Sequence, residues 1–103
     1  MPIYQTARYE VAAAAVDEVK AAIEDFVAYV RDHEPGTKMY VAWQQQSEPT
    51  KFVHLFEFAD QDAHETHGRS DAVRRFEAVY RPHLAAGPPV FTDYALVASN
   101  SAR

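Results

Sequence analysis

Cysteine is absent from the 103 residues. That excludes disulfide and thiolate chemistry and fits a cytoplasmic protein. No apolar run approaches the roughly 20 residues of a membrane span, so no membrane partner is expected. The opening residues, MPIYQTARYE, lack a basic region followed by an apolar core, so no secretory signal is expected. A positive surplus is also missing. The formal net charge is −5, which argues against nucleic acid as a partner, because such binding runs on a basic surface. The pair Arg74 and Arg75 is too short to make a patch. Repeats, low-complexity segments and linkers are lacking as well. What is present is a 48% hydrophobic composition in a length that buries roughly two-thirds of its unfolded surface. Residues 1–103 are therefore expected to form one domain.

The apolar pattern changes period along the chain. Ile3 to Val11, rich in Ile, Tyr, Thr and Val, predicts a strand. Val16, Val19, Ile23, Phe26, Val27 and Val30 then recur at helical spacing. Pro35 and Gly36 stop this helix, the glycine by accepting a left-handed cap. Thr37 to Gln46 is a second strand. Ser47 to Thr50 turns it back into a third, Lys51 to Ala59, as an antiparallel hairpin. In the third strand Phe52, His54, Phe56 and Phe58 point one way, and Val53, Leu55, Glu57 and Ala59 the other. Asp60 or Asp62 caps a short helix that runs to about His67 and ends at Gly68, and Ser70 caps the next. Val73, Phe76, Val79 or Tyr80, and Leu84 form the stripe of that helix, which Pro82 kinks or ends. A Gly87-Pro88-Pro89 turn leads into a last strand, Val90 to Ala98. Ser99 to Arg103 is expected to be a frayed tail.

The order β-α-β-β-α-β is the split unit of an α+β ferredoxin-like fold, an antiparallel sheet with helices on one face. A sheet whose other face is wet alternates cleanly along each strand. Strands three and four do not alternate; both are apolar front and back. The second face therefore requires a cover, and a second copy of the same sheet supplies it most simply, as a homodimer.

An aromatic strand ending in an acidic turn precedes the segment AHETHGRSDAVRRF. A Pro-Pro loop and a strand with Tyr-x-Leu-Val follow it. This arrangement resembles the antibiotic biosynthesis monooxygenase domains of the dimeric α/β-barrel superfamily. The shared feature is an A-H-x-x-H-like segment before a Ser-x-x-apolar helix start, here Ala63, His64, His67, Ser70 and Val73. The resemblance implies two ferredoxin-like subunits whose sheets form one barrel, with a pocket in each between sheet and helices. It implies oxygenation of quinols or polycyclic aromatics without metal or flavin, haem degradation, or no established activity. The haem-degrading branch has an Asn in the first strand, a Trp where this chain has His67, and an iron-ligating His ten positions further on. This chain has no Asn from Ile3 to Val11, and the later position holds Glu77. A carboxylate is a poor substitute for a proximal imidazole, so haem degradation is not expected.

His64 and His67, three residues apart, share a helix face. A pocket-facing imidazole there is a candidate catalytic base for a phenol or enol proton, since its ordinary pKa of ~6.5 leaves it usable near neutrality. The electron-rich anion can then reduce oxygen itself, and no cofactor is expected. The competing readings of the pair are helix packing or capping, or metal ligation together with Asp60, Glu65 or His83. That spacing is not the H-E-x-x-H of zinc enzymes. His54 lies among phenylalanines, either in the core or an interface with its nitrogens satisfied, or lining a pocket. Trp43, Phe56, Phe76, Tyr80 and Tyr94 suit the core by default and also suit a flat aromatic ligand. Arg8 and Tyr9 are candidate donors whose facing depends on strand parity. The preferred function is a cofactor-independent monooxygenase-like enzyme for a small aromatic or quinone-like molecule. A non-catalytic ligand-binding homodimer, and an interaction module covered by another protein, are the alternatives.

Overall fold

A computed structural model describes residues 1–101. Strand β1 spans Ile3–Glu10, helix α1 Val16–His33, strand β2 Thr37–Gln44 and strand β3 Lys51–Phe58. Helix α2 spans Gln61–Gly68, helix α3 Asp71–Tyr80 and strand β4 Val90–Tyr94. The four strands form one antiparallel sheet in the order β2-β3-β1-β4. This is the ferredoxin-like α+β arrangement that the element order predicts.

The apolar stripe of α1 does what its spacing dictates: Val19, Ile23, Phe26 and Val30 are buried. In α3 the buried positions are Ala72, Phe76 and Tyr80, so Tyr80 rather than Val79 continues the stripe. Asp60, not Asp62, caps α2, its carboxylate accepting the Ala63 N–H at 2.9 Å. Ser70 caps α3 by accepting from the Val73 N–H at 3.1 Å. Pro82 ends α3 rather than kinking it, lying in the single 3-10 turn Arg81–His83 that follows.

Gly36 does not take the expected left-handed conformation; among the described residues only Gly87 does, at φ 85°. Space is what Gly36 provides. A Cβ there would sit 2.7 Å from the Cβ of Ala63, and the Gly36 carbonyl accepts the Ala59 N–H at 2.8 Å. The loop after α1 is thereby pressed against the first turn of α2, the helix that carries both candidate histidines.

Register decides which side chains meet. His54 lies opposite Ala7 on one side and Ala42 on the other, and Phe56 lies opposite Gln5 and Tyr40. Tyr9 pairs with Phe52, and Phe91 with Ala7. All of these face the helices. Tyr9 is thus the inward residue of its pair and Arg8 the outward one. The opposite face carries Trp43, Val90 and Tyr94, which are 58%, 59% and 51% exposed.

Both hairpin strands stop short of expectation, at Gln44 and Phe58. Strand β4 also stops early, at Tyr94. Its partner β1 begins at Ile3, and Tyr94 already pairs with Tyr4. The chain beyond has run out of ladder, leaving Leu96 and Val97 at 56% and 96% exposure. The tail expectation extends to Ala102 and Arg103, which lie outside the described residues. No helix among the described residues is long and apolar enough to cross a membrane.

Candidate functional site

Between the helix-covered sheet face and helices α2 and α3 lies a cavity of about 240 Å³. Its walls are aromatic because strand and helix stripes converge there. Phe56 and Phe58 come from β3, Phe26 from α1, Phe76 and Tyr80 from α3, and Phe91 from β4. Phe26 and Phe76 stack at 5.1 Å, as do Tyr40 and Phe56. Such ring packing holds the walls in place beyond simple burial. Two hydrogen-bonded groups interrupt this lining, one at the sheet and one at α2, and Gln5, His64 and Glu77 also border it.

The sheet group is centred on His54, which is only 1% exposed. Its Nε2 lies 2.7 Å from the Tyr9 hydroxyl, and its Nδ1 lies 2.7 Å from that of Tyr40. Burial pushes the imidazole pKa down from 6.5 to about 4, so the ring is neutral at neutral pH. Burial, reinforced by neighbouring Tyr80, pushes the Tyr9 hydroxyl up. Burial also raises Tyr40 well above its ordinary value, with Tyr9, Tyr80 and Glu34 adding to it. Both hydroxyls therefore keep their protons. Both nitrogens of His54 are thus satisfied, and the ring lies on the cavity wall.

The second group is centred on His67. Its Nδ1 lies 2.8 Å from Glu34 Oε1, and the two side chains are 12% and 5% exposed. The same oxygen accepts the Thr37 hydroxyl at 2.9 Å. A carboxylate only accepts, so Nδ1 carries a proton; in the neutral ring Nε2 then keeps its lone pair. The ring is fixed laterally by Phe58 at 5.1 Å, Phe26 at 5.5 Å and Tyr40 at 5.7 Å. Glu34 follows the last residue of α1, and His67 sits in the last turn of α2. The close packing of Gly36 on Ala63 brings these two helix ends together. The second carboxylate oxygen of Glu34 is buried with no hydrogen-bond partner in the structure, and so is Nδ1 of His64.

The structure brings His54, His64, His67, Phe56, Phe76 and Tyr80 together around this cavity. His64 presents its ring edge-on to Phe58 at 5.1 Å and 82°. Trp43 and Tyr94 lie elsewhere. Trp43 borders an open groove of about 500 Å³ on the other sheet face, with Arg8, Val53 and Val90. That groove is larger, but no histidine lines it. Tyr94 borders a separate open pocket of about 350 Å³ with Tyr4, Gln61 and the other side of His64. His83 is turned toward Glu18, 3.4 Å away. Among the described residues no cluster of three or more His, Cys, Asp or Glu side chains is placed to hold a metal ion. Glu77 borders the cavity with its carboxylate taken by Arg81 at 2.8 Å.

Sequence reasoning missed Glu34, Tyr40 and Phe26 as parts of the site. Tyr40 was within reach, because hairpin pairing puts it beside Phe56. Glu34 carried no local signal, since an acid beside Pro35 reads as an exposed helix end.

A ferredoxin-like α+β domain with an aromatic, imidazole-bearing chamber under its helices defines the class. Residues 2–79 match the antibiotic biosynthesis monooxygenase family, and the chain belongs to that family. A proposed antibiotic biosynthesis monooxygenase from Caulobacter crescentus CB15 is 28% identical, with a TM-score of 0.85 over 94% of this chain and 91% of that one. Rv0793 from Mycobacterium tuberculosis superposes with a TM-score of 0.85 at 19% identity, over 98% of this chain and 100% of that one. PA3566 from Pseudomonas aeruginosa superposes with a TM-score of 0.82 at 20% identity, over 94% and 95% of the two chains. The last two likenesses speak to fold alone. No curated protein matches the chain.

Proposed function

We propose that this chain, as a single domain, is a cofactor-independent monooxygenase-like enzyme acting on a small aromatic or quinol-type molecule. One observation carries the reading. An imidazole held through Nδ1 by a buried carboxylate lines a chamber walled by aromatic rings. His67 is the base and Glu34 orients it. His67 Nε2 takes the proton of a ring hydroxyl, and Glu34 balances the charge that the imidazole acquires. The resulting anion is rich enough in electrons to reduce dioxygen. One oxygen atom enters the ring and the other leaves as water, so a quinol becomes a hydroxyquinone. All the electrons come from the ring, and no external reductant is consumed. The aromatic walls keep water from the anion while this happens. His64 is the second candidate, set edge-on against Phe58 on the same wall.

The working form in this reading is a cytoplasmic homodimer. Three exposed apolar residues on the open face, Trp43, Val90 and Tyr94, and the unpaired Leu96 and Val97 support it. Edges and faces of this kind are covered in native proteins.

Purified protein, stripped of metal by a chelator, is incubated with a panel of quinols while oxygen uptake is followed. Turnover in the wild type and its loss in His67→Ala are the expected result. Turnover undiminished in His67→Ala removes the assigned base. Tight binding of every quinol with no uptake assigns the chamber to ligand binding alone.

A further inference from the structure

The group formed by Tyr9, His54 and Tyr40 takes no part in the proton removal assigned to His67, yet it borders the same cavity. Its proton count restricts what it can do. A neutral imidazole has one N–H donor and one bare nitrogen. Each ring nitrogen faces a tyrosine oxygen at 2.7 Å. One tyrosine must therefore donate its hydroxyl proton to the bare nitrogen. The other tyrosine accepts the ring N–H, and its own proton is left over. A hydroxyl proton without a partner in an apolar surrounding costs free energy, which a ligand oxygen would relieve.

We infer that Tyr9, His54 and Tyr40 form a binding site for the carbonyl or phenolic oxygen of an uncharged ligand. The site always presents one hydroxyl donor, and the imidazole tautomer decides which tyrosine presents it. The lining fits an uncharged ligand. No lysine or arginine borders the cavity, whereas Glu77 does, and Glu34 stands behind His67. A carboxylate ligand would enter with no cation to meet it. The walls fit a flat ring system on which that oxygen is carried. With His54 held neutral by burial, the group does not compete with His67 for the ligand's proton.

For the proposed reaction this supplies a second anchor: His67 at the hydroxyl that is deprotonated, a tyrosine at the other oxygen. The inference rests on the proposed function for that pairing, but binding through the tyrosines needs no turnover. It also makes the two singly substituted proteins informative. In Tyr9→Phe the Nε2 position loses its partner. A buried N–H facing a phenyl ring is costlier than a buried lone pair, so the proton moves to Nδ1 and Tyr40 keeps the free hydroxyl. In Tyr40→Phe the reverse holds: the proton sits on Nε2 and Tyr9 presents the donor.

The test uses α-tetralone, which carries a carbonyl but no acidic hydroxyl, and tetralin, which has the same ring frame without oxygen. Calorimetric titration of the full chain is expected to give α-tetralone an advantage on the order of tenfold over tetralin. Each single variant keeps most of that advantage, and the double variant Tyr9→Phe/Tyr40→Phe loses it. Nitrogen NMR of His54 is expected to show opposite tautomers in the two single variants, a readout available even if the double variant does not fold. Equal affinity for the two ligands in the wild type, an advantage surviving in the double variant, or one shared tautomer in both single variants overturns the inference. His67→Ala is expected to keep the α-tetralone advantage. An enzyme that binds α-tetralone in this way but never consumes oxygen would sink the oxygenation reading and leave the tyrosine site standing.

Discussion

The two ends of the cavity place a histidine in opposite chemical situations. At the sheet end His54 sits in the middle of a strand, deeply buried, between two hydroxyls that each touch one ring nitrogen. At the α2 end His67 sits in the last turn of a helix, with one nitrogen held by a carboxylate and the other left free. A ring satisfied on both sides is structural and a donor by proxy. A ring satisfied on one side by an acid is oriented and still has a lone pair to use. The lesson is that partner chemistry, not residue type or burial alone, separates a histidine that holds a fold from one that can accept a proton.

The comparison is broken most severely by exchanging roles. If only the α2 end performs proton transfer, His67→Ala lowers the rate of quinol oxygenation by about 10²- to 10⁴-fold. Glu34→Ala, which releases the ring from its orientation, costs on the order of a hundredfold. Oxygen uptake for the two variants will show both losses.

The next effect is on stability and belongs to the sheet end. The unfolded imidazole of His54 takes up a proton as pH falls through its ordinary 6.5, whereas the folded one does so only near 4. The unfolded state therefore binds protons first. The stability contributed by the neutral ring is fully present above pH ~6.5. It falls by about 3 kcal/mol as pH drops toward 4, a depressed-pKa case with the loss on the acid side. Urea titrations at several pH values are expected to show this slope in the wild type and not in His54→Gln. Tyr9→Phe, which leaves a buried ring nitrogen unsatisfied, is expected to cost about 1–3 kcal/mol at neutral pH in the same titrations.

Gly36→Ala affects both ends least directly. Its added methyl meets the Ala63 Cβ at 2.7 Å, and overpacking of this kind costs about 1–3 kcal/mol. It pushes the start of α2 away and so loosens the contact of His67 with Glu34. A fall in quinol turnover larger than the fall in thermal stability accounts for, with His54 still neutral by NMR, will show that the displacement is local to the α2 end. A smaller effect still is expected at the open face. Trp43→Ser should weaken association in the proposed homodimer, read by sedimentation at low micromolar concentration, without altering either hydrogen-bonded group.

Much of this was legible in the chain. The stripe of α1, the alternation of Phe52, His54, Phe56 and Phe58, and the caps at Asp60 and Ser70 are local signals, and the structure uses each of them. Strand ends were less legible, because β4 stops where β1 offers no further partner, a fact about another segment. The site divides the same way. His67 and His54 could be singled out as residues, but their partners could not. Glu34 meets His67 across 33 positions, and Tyr9 meets His54 across 45. Trp43 and Tyr94 drew notice for their ring size, while register alone puts them on the far face. Gly36 signalled a turn, yet its function is to give Ala63 room, which only packing reveals.

The most direct trial of the two-ended cavity is an anaerobic crystal structure of the protein with naphthalene-1,4-diol, in which reaction is blocked by the lack of oxygen. The account predicts the diol lying in the chamber lined by Phe26, Phe56 and Phe76, with one hydroxyl about 3 Å from His67 Nε2 and the other at hydrogen-bond distance from Tyr9 or Tyr40. A diol stacked on Trp43 in the open groove, with the chamber empty, would contradict it.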